Sequence, residues 1–298
     1  MTASKSAATD QRPLIAAGFM VISTIGFVAM HVIIQRVSQD LHPFVTAFFR
    51  CMFGILVVLP WFMKSGLEPL RTSKPGLLLL RAFVNTLAMM MFFWALAITP
   101  LMTTTALAFT SPIMATVMAI FFFGERLGPR RIGAVVVGSV GVLIILRPGL
   151  IPLELGPLLL LVSCFLWAVT VLIVKIISKT ESSVTITAYM TLMMAPMTFV
   201  FALPFWQTPT LEQLLWLALG GSLGTIGHLT MTQALKVADT ATVMPLDFLK
   251  LVWSAVFSYA LFLTIPDFWT QVGGVVICAA SAYLAYRSHR ELRPSIKV

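Results

Sequence analysis

The sequence predicts an all-α integral membrane protein with ten transmembrane helices arranged as two inverted five-helix repeats. Its 298 residues are 59% hydrophobic and only 10% charged, and the mean hydropathy is +0.96, which is far more apolar than a soluble domain. The chain divides into ten apolar stretches, most of them near the roughly 17–25 residues that a helix needs to cross a bilayer. These stretches form two sets of five with similar spacing, which indicates an internal repeat.

The ten predicted helices are joined by short connections that contain Pro, Gly, Asp or Ser, and no connection is long enough for an extramembrane domain. The first helix is longer than the roughly 7–15 residue core of a cleavable signal peptide, so we expect it to be retained. In chain order the predicted helices are 14–35, 43–63, 77–98, 103–123, 132–146, 153–176, 184–205, 214–235, 241–263 and 268–286.

The positive charge of the chain predicts its orientation. Lys and Arg hold loops on the cytoplasmic side of a membrane. If the N-terminus is cytoplasmic, nearly all loop Lys and Arg fall on that side, and only Arg36 and Arg147 fall on the opposite side. The net charge of +9 is therefore explained by orientation and not by a nucleic-acid partner. We expect a lipid-embedded protein of the inner (plasma) membrane, with cytoplasmic tails at 1–13 and 288–298.

The cysteines and the sequence motifs indicate neither a metal nor a cofactor. Cys51, Cys164 and Cys278 lie far apart in separate apolar stretches, which is not the spacing of a disulfide framework or a metal site. The chain also lacks a phosphate-binding Gly-Lys-Ser loop and a His-Glu-x-x-His motif.

The two halves of the chain, 14–147 and 153–287, can be brought into register. Because each half has an odd number of helices, the second half enters the bilayer from the opposite side. Inverted repeats of this kind predict alternating access around a site near the membrane midplane. The matching positions are Ser23 with Ser163, Phe27 with Trp167, Ala95-Leu96 with Ala234-Leu235, Thr103 with Thr242, Phe109 with Phe248, and Arg147 with Arg287.

Several runs of the first half resemble the EamA-type members of the drug/metabolite transporter superfamily, and the resemblance covers nearly the whole chain. It implies ten helices in two repeats and secondary active transport of a small organic metabolite, such as an amino acid, a nucleotide-like compound or a vitamin like riboflavin. The second half differs, with Thr264-Ile265-Pro266-Asp267 where a Gly-Glu-Arg-like motif is often found. The similar runs are 81–100 with Phe93-Trp94-Ala95-Leu96, Ala106-Leu107-Ala108-Phe109-Thr110-Ser111-Pro112-Ile113, Phe123-Gly124-Glu125-Arg126-Leu127, and 133–149 ending in Leu146-Arg147-Pro148-Gly149.

Charged residues inside the predicted helices are candidates for cargo binding, because such groups are costly in a bilayer. Asp247 and Lys250 share one helical face, where they either form a permanent ion pair or separate to hold a zwitterionic cargo. Arg50 is predicted to face a cavity and to bind a carboxylate or phosphate. Arg81 lies near the cytoplasmic end of its helix, where snorkelling to lipid phosphates is the favoured interpretation.

Proton coupling is assigned to two candidates, Asp247 and His228, because each can change its charge. His228 has threonine neighbours, so a hydrogen-bonded packing role is an equal alternative for it. His31, near the end of the first predicted helix, is interpreted as an interfacial residue.

Three tryptophans lie away from the expected interfacial belts and are candidates for stacking on a planar cargo, together with a nearby amide and a hydroxyl. Ordinary packing is the alternative for each. These residues are Trp94, Trp167, Trp253, Asn85 and Ser163.

Two prolines occupy counterpart helices of the two repeats. Pro112 interrupts the fourth predicted helix and Pro245 the ninth, and each removes an N–H from the helical hydrogen bonds. They are either hinges or tolerated kinks.

Two other classes of protein share single features with this sequence. A channel needs a continuous polar lining, and too few of these helices offer one. Gly220-Gly221-Ser222-Leu223-Gly224 fits the Gly-x-Ser-x-Gly pattern of serine hydrolases, with His228 downstream. A nucleophile elbow needs a strand, a turn and a helix, whereas Ser222 and His228 lie in one apolar stretch on different helical faces. We therefore expect no enzymatic activity.

Overall fold

The computed structural model describes residues 3–65, 72–123, 129–147, 154–177, 180–181, 183–237 and 244–292. All regular structure within these ranges is helical, and 3₁₀ segments occur at Leu203–Phe205 and Met244–Phe248. The α-helices of the described ranges are α1 (Ala3–Val37), α2 (Pro43–Ser65), α3 (Pro75–Ile98), α4 (Leu101–Ala108), α5 (Ser111–Phe123), α6 (Pro129–Leu146), α7 (Leu155–Ile177), α8 (Ser183–Ala202), α9 (Leu211–Val237), α10 (Leu249–Phe262) and α11 (Phe268–Leu292).

Each predicted helix coincides with helical structure, but several boundaries differ. The helices α1 and α11 continue into the segments 1–13 and 288–298, which the sequence predicts as polar tails. A helix ends where its backbone hydrogen bonds end and not where hydropathy falls. Residues 124–128, which include most of the Phe123-Gly124-Glu125-Arg126-Leu127 run, lie outside the described residues, as do 148–153 and 238–243.

The fourth predicted helix is two helices. The break falls at Phe109 and Thr110, just before α5, so Pro112 is the second residue of a new helix. In the first turn its missing N–H removes no helical hydrogen bond. The ninth predicted helix is also divided, into the 3₁₀ segment that contains Pro245 and the following α10. The aromatic rings of Phe109 and Phe248, which are equivalent in the two repeats, meet at 4.9 Å between centroids.

Five helical segments of the described ranges are long and apolar enough to cross a membrane by length and composition. They are Leu14–Val37, Pro75–Ile98, Leu101–Met118, Leu155–Val174 and Leu211–Ala234. Shorter apolar segments are Pro43–Val57, Ile132–Leu146, Leu192–Phe205 and Phe268–Tyr283. These lengths are those of a membrane protein.

Packing between the repeats follows their internal symmetry. The most extensive helix contacts pair α1 with α9 and α3 with α7, which is the first helix of one repeat against the third of the other in both cases. Ser23 Oγ donates a hydrogen bond of 2.7 Å to the Gly227 carbonyl oxygen, and Ser163 Oγ donates one of 2.7 Å to that of Ala88. The same interhelical hydrogen bond is therefore made twice, once on each side of the molecule.

Glycines allow α1 and α9 to approach each other at this hydrogen bond. A Cβ atom on Gly26 would lie 3.0 Å from the carbonyl oxygen of Leu223, and one on Gly227 would lie 3.2 Å from that of Ser23. Both distances are tighter than ordinary van der Waals contact, so a larger residue would push the two helices apart.

Replacing Ser23 or Ser163 by Ala is expected to lower the free energy of unfolding by about 1 kcal/mol in each case, because each change removes one buried interhelical hydrogen bond. Thermal unfolding of the purified protein in detergent measures the effect. Ser139→Ala is the control, since Ser139 is exposed and its hydroxyl donates only to Val135 of its own helix. A loss in Ser139→Ala as large as in the other two variants would contradict the prediction.

Candidate functional site

A cavity of about 410 Å³ lies between the two repeats, within the size range of sites for small metabolites. Its polar lining combines basic, acidic, imidazole, amide and hydroxyl groups, and most of the remaining wall is aromatic or sulfur-containing. The polar residues are His31, Arg50, Asn85, Thr105, Ser111, His228, Asp247 and Lys250. The aromatic residues are Phe27, Phe92, Phe93, Phe109 and Trp167, and the methionines are Met30, Met89, Met190, Met194 and Met231.

The structure brings most of the predicted site residues to this cavity. From the first repeat come Arg50, Asn85 and Pro112, and from the second repeat come Trp167, His228, Asp247 and Lys250. The two repeats thus contribute to one shared site. Pro245 precedes Asp247 in the same 3₁₀ segment, and its side chain lies outside the described part of the structure.

The three candidate tryptophans have different environments. Trp167 is in the cavity wall, with its ring centroid 5.1 Å from that of Phe92. Trp94 and Trp253 are not among the residues that line the cavity. The ring of Trp94 packs edge-on against Phe44 at 5.8 Å, and Trp253 Nε1 donates a hydrogen bond of 3.2 Å to Thr24 Oγ1. In this conformation both tryptophans join neighbouring helices.

Arg50 has no acidic partner among the described residues. Its nearest side-chain partners are sulfur atoms, with Nη1 3.9 Å from Cys51 Sγ and 3.9 Å from Met89 Sδ. Its Nε is buried without an acceptor. A Cβ atom on Gly224 would clash with Met30 Sδ and would lie 3.4 Å from Nη2, so the absence of a side chain there makes room for Met30 beside the guanidinium. Thioethers and thiols are weak acceptors, and Arg50 therefore retains its capacity to bind a carboxylate or phosphate.

Asp247 and Lys250 form an ion pair, which is one of the two arrangements considered from the sequence. The distance between Asp247 Oδ1 and Lys250 Nζ is 2.6 Å, and their side chains are 21% and 20% exposed. The ammonium also lies 4.7 Å from the ring centroid of Phe27, within cation–π distance. Asp247 belongs to the 3₁₀ segment and Lys250 to α10, so a change in the backbone between these elements would change the ion pair.

His228 and His31 both pack against aromatic rings of the cavity wall. His228 lies edge-on to Phe27 with 4.7 Å between ring centroids, and it is part of the cavity lining. His31 lies 5.0 Å from Phe92. The interpretation of His31 as interfacial is wrong, because α1 continues to Val37 and places His31 inside the helix bundle.

Arg81 also differs from its interpretation. It does not extend towards lipid; its guanidinium turns inwards, and Nη1 donates a hydrogen bond of 3.1 Å to the carbonyl oxygen of Ile186 on α8. The Arg81 guanidinium can reach a backbone carbonyl of α8 because α3 and α8 pack against each other.

Sequence reasoning missed the methionine and phenylalanine lining. A signal was present in the helical spacing: Met89 follows Asn85 by four residues on α3, and Met194 follows Met190 by four residues on α8. Apolar residues with this spacing are equally typical of helix faces that contact lipid, so spacing alone could not identify the cavity wall.

The repeats also touch at two contacts outside the bundle interior. His42, between α1 and α2, stacks on Phe205 with ring centroids 4.0 Å apart and an interplanar angle of 4°. Glu181, between α7 and α8, accepts hydrogen bonds from the Ser73 backbone N–H at 3.0 Å and from the Ser73 hydroxyl at 2.8 Å. Each contact joins the connection before the second helix of one repeat to the connection before the third helix of the other.

The surroundings of His42 and Glu181 lower the pKa of both side chains. Burial lowers the pKa of His42 from its ordinary value. Hydrogen bonds from Thr72 and Ser73 lower the pKa of Glu181. Because the folded-state pKa of Glu181 is depressed, its contact with Ser73 is fully formed above the ordinary carboxyl range and is lost as the pH falls through the lowered value.

The arrangement does not provide a hydrolase site. Ser222 is not among the residues that line the cavity, whereas His228 is. Within the described ranges, no group of three or more His, Cys, Asp or Glu side chains is placed to hold a metal ion.

Two sequence comparisons match this chain to transporters, and a structural comparison shows a shared fold. A family model described as the EamA-like transporter family matches residues 14–147 and 154–287. The chain is 29% identical to an S-adenosylmethionine uptake transporter of Rickettsia bellii, over 94% of this chain and 96% of that protein. It is 30% identical to a riboflavin transporter of Rhizobium johnstonii, over 99% of each chain. A crystal structure with 16% sequence identity shares the fold at a TM-score of 0.61, over 92% of this chain and 97% of the other.

Proposed function

Because the chain belongs to the EamA-like transporter family, it is a membrane transporter of small metabolites, and we propose that its cargo combines a planar ring with a carboxylate or phosphate. The observation that carries this proposal is Arg50, a cation of the cavity wall without an acidic partner among the described residues. A buried cation is costly in a membrane protein unless an anion compensates it, and a cargo anion would do so.

The rest of the cavity supports a cargo with two chemically different ends. Phe92 and Trp167 form an aromatic pair on which a planar ring can stack. Asp247 and Lys250 can bind an ammonium and a carboxylate if their ion pair opens. An amino-acid-like or nucleotide-like metabolite meets these requirements. S-adenosylmethionine, the cargo named for the Rickettsia bellii relative, contains both a planar ring and a carboxylate.

We propose that cargo crosses by alternating access between two inverted five-helix repeats, 14–147 and 153–287, in the inner (plasma) membrane. The doubled serine hydrogen bond and the divided helices at Phe109 and Phe248 support this mechanism, because each occurs once in every repeat. Ten spans with both termini cytoplasmic place the His42 and Glu181 contacts on opposite faces, where one opens while the other stays closed. Labelling of cysteines introduced at the two chain ends tests the orientation, and labels on opposite faces would contradict it.

Purified protein in liposomes tests the transport proposal. We expect saturable uptake of labelled S-adenosylmethionine that is accelerated by unlabelled S-adenosylmethionine inside the vesicles, because a carrier exchanges one bound cargo for another. Labelled riboflavin is the second probe, since it has a planar ring without a carboxylate. Conductance without saturation would indicate a channel. Failure to exchange S-adenosylmethionine, whether or not riboflavin is exchanged, would overturn the proposed cargo class.

The hydrolase alternative has its own control in the same assay. Ser222→Ala should exchange cargo at the wild-type rate, because Ser222 does not line the cavity. Loss of exchange in Ser222→Ala, with normal exchange in Arg50→Gln, would contradict the assignment of Arg50.

A further inference from the structure

Arg81 is a second inward-facing cation, separate from the residues that line the cavity. On α3 it lies between Pro75, where the helix begins, and Asn85, the first cavity residue of this helix. Its Nη1 donates to the Ile186 carbonyl oxygen at 3.1 Å, and its Nη2 is 3.5 Å from Met190 Sδ. Its Nε is buried without an acceptor.

The charge of Arg81 is not compensated within the described part of the chain. Its contacts there are with a carbonyl oxygen and a thioether, which are neutral acceptors. The ion pairs of the described residues are Arg147 with Asp267 and Lys250 with Asp247, and neither includes Arg81. A guanidinium with a buried N–H and no acidic partner can bind an anion by donating hydrogen bonds to it.

The position of Arg81 connects it to the cavity. Arg81, Asn85 and Met89 follow each other at intervals of four residues, so they share one face of α3. On α8, Met190 contacts Arg81, and Met194 Sδ lies 3.1 Å from Asn85 Nδ2. Met89 in turn contacts Arg50. The seam between α3 and α8 therefore leads from Arg50 to Arg81, which is roughly 12 Å along the helix axis from the level of Met89 at 1.5 Å per residue.

We propose that Arg81 is a second anion-binding site on the cytoplasmic route of the cargo, occupied by the carboxylate or phosphate that Arg50 binds in the cavity. This inference rests on the proposed function. An oxyanion at Arg81 would replace neutral acceptors with charge-assisted hydrogen bonds, and it would use the unpartnered Nε together with one Nη atom in the bidentate geometry of guanidinium and carboxylate. The carboxylate or phosphate of the cargo would therefore pass from Arg50 to Arg81 on its way between the cavity and the cytoplasmic face.

Side-resolved kinetics test the second site. In Arg81→Gln, the KM for S-adenosylmethionine measured from the cytoplasmic face should rise about tenfold or more, with less than a twofold change from the opposite face, because one charge-assisted contact is lost on one side only. Arg81→Lys should recover part of the loss, since it keeps the charge without the bidentate geometry. The control is Arg130→Gln, which removes an exposed Arg at the start of α6.

A structural role for Arg81 predicts different results. If Arg81 only fastens α3 to α8, Arg81→Gln will lower the thermal midpoint and change the kinetics equally on both faces. It will also have the same effect on decarboxylated S-adenosylmethionine, which lacks the carboxylate. If Arg81 instead binds a lipid phosphate, the effect of Arg81→Gln will disappear in vesicles without anionic lipid. Each of these outcomes would overturn the proposal.

A second measurement does not depend on transport. Modification of Arg81 by phenylglyoxal, followed by mass spectrometry of the wild-type protein, should be slowed by S-adenosylmethionine and not by its decarboxylated analogue. Absence of this protection overturns the Arg81 site even if exchange is normal. Protection at Arg81 without any exchange in liposomes would instead sink the proposed transport of this probe and leave the second anion site standing.

Discussion

Replacing Arg50 by Gln is expected to lower kcat/KM for S-adenosylmethionine exchange about 100-fold. The variant loses a bidentate, charge-assisted contact with the cargo carboxylate, and one hydrogen bond to a charged group contributes roughly 1.5–3 kcal/mol. Arg50→Lys should lose about tenfold, because an ammonium keeps the charge but not the two parallel N–H donors. Exchange kinetics in proteoliposomes measure both effects.

The control for Arg50 is Arg36→Gln. Arg36 is exposed at the end of α1, where its Nη1 donates to Gln39 Oε1 at 2.7 Å, so its loss should leave exchange unchanged. Riboflavin exchange supplies a second comparison, since this cargo lacks a carboxylate and should be affected less than threefold by Arg50→Gln. An equal loss for both cargos would show that Arg50 supports the fold of the cavity and does not select an anion.

Replacing Asp247 by Asn is expected to abolish accumulation of cargo against its gradient while cargo exchange continues. Asn cannot take up or release a proton, so a carrier that couples through Asp247 can still exchange cargo but cannot use a pH gradient. The measurement compares uptake with and without an imposed pH gradient and counterflow in the same vesicles. His228→Gln is the matched variant for the other coupling candidate.

The stability of these variants separates coupling from folding. Asp247→Asn leaves the ammonium of Lys250 without its counter-ion, which should cost about 1–3 kcal/mol, less than for a fully buried pair because both side chains are about one-fifth exposed. Asp247→Asn with Lys250→Met removes both charges and should recover most of this loss. If gradient-driven accumulation is unchanged in Asp247→Asn and also in His228→Gln, neither residue carries the proton.

The prolines show which part of the helix division could be predicted from the sequence. Pro112 predicted an interruption, and the helix does break just before it, because proline is tolerated in the first turn of α5 and not in the middle of a longer helix. The exact pairing of Phe109 with Phe248 could not be predicted. It depends on how two helices from opposite halves of the chain meet.

The candidate site residues also differ in how far the sequence alone could predict their positions. Arg50, Asp247 and Lys250, which line the cavity, could be predicted as candidates from the sequence because charge inside an apolar stretch is rare and costly, whatever surrounds it. The three tryptophans could not be ranked, since only their neighbours determine that Trp167 faces the cavity while Trp94 and Trp253 join helices. The inward direction of Arg81 depended on the carbonyl oxygen of Ile186, which lies 105 residues away in sequence.

Hydropathy and composition determined by themselves that this chain is a helical membrane protein, because apolar stretches of this length can satisfy their backbone hydrogen bonds in lipid by forming helices. The runs of the first repeat pointed to the transporter family to which the chain belongs. Only the tertiary structure decided which helix faces enclose the cavity and which charges pair there. In a bilayer the outward and the inward faces of a helix can be equally apolar, so the sequence pattern carries little information about which face meets a neighbouring helix.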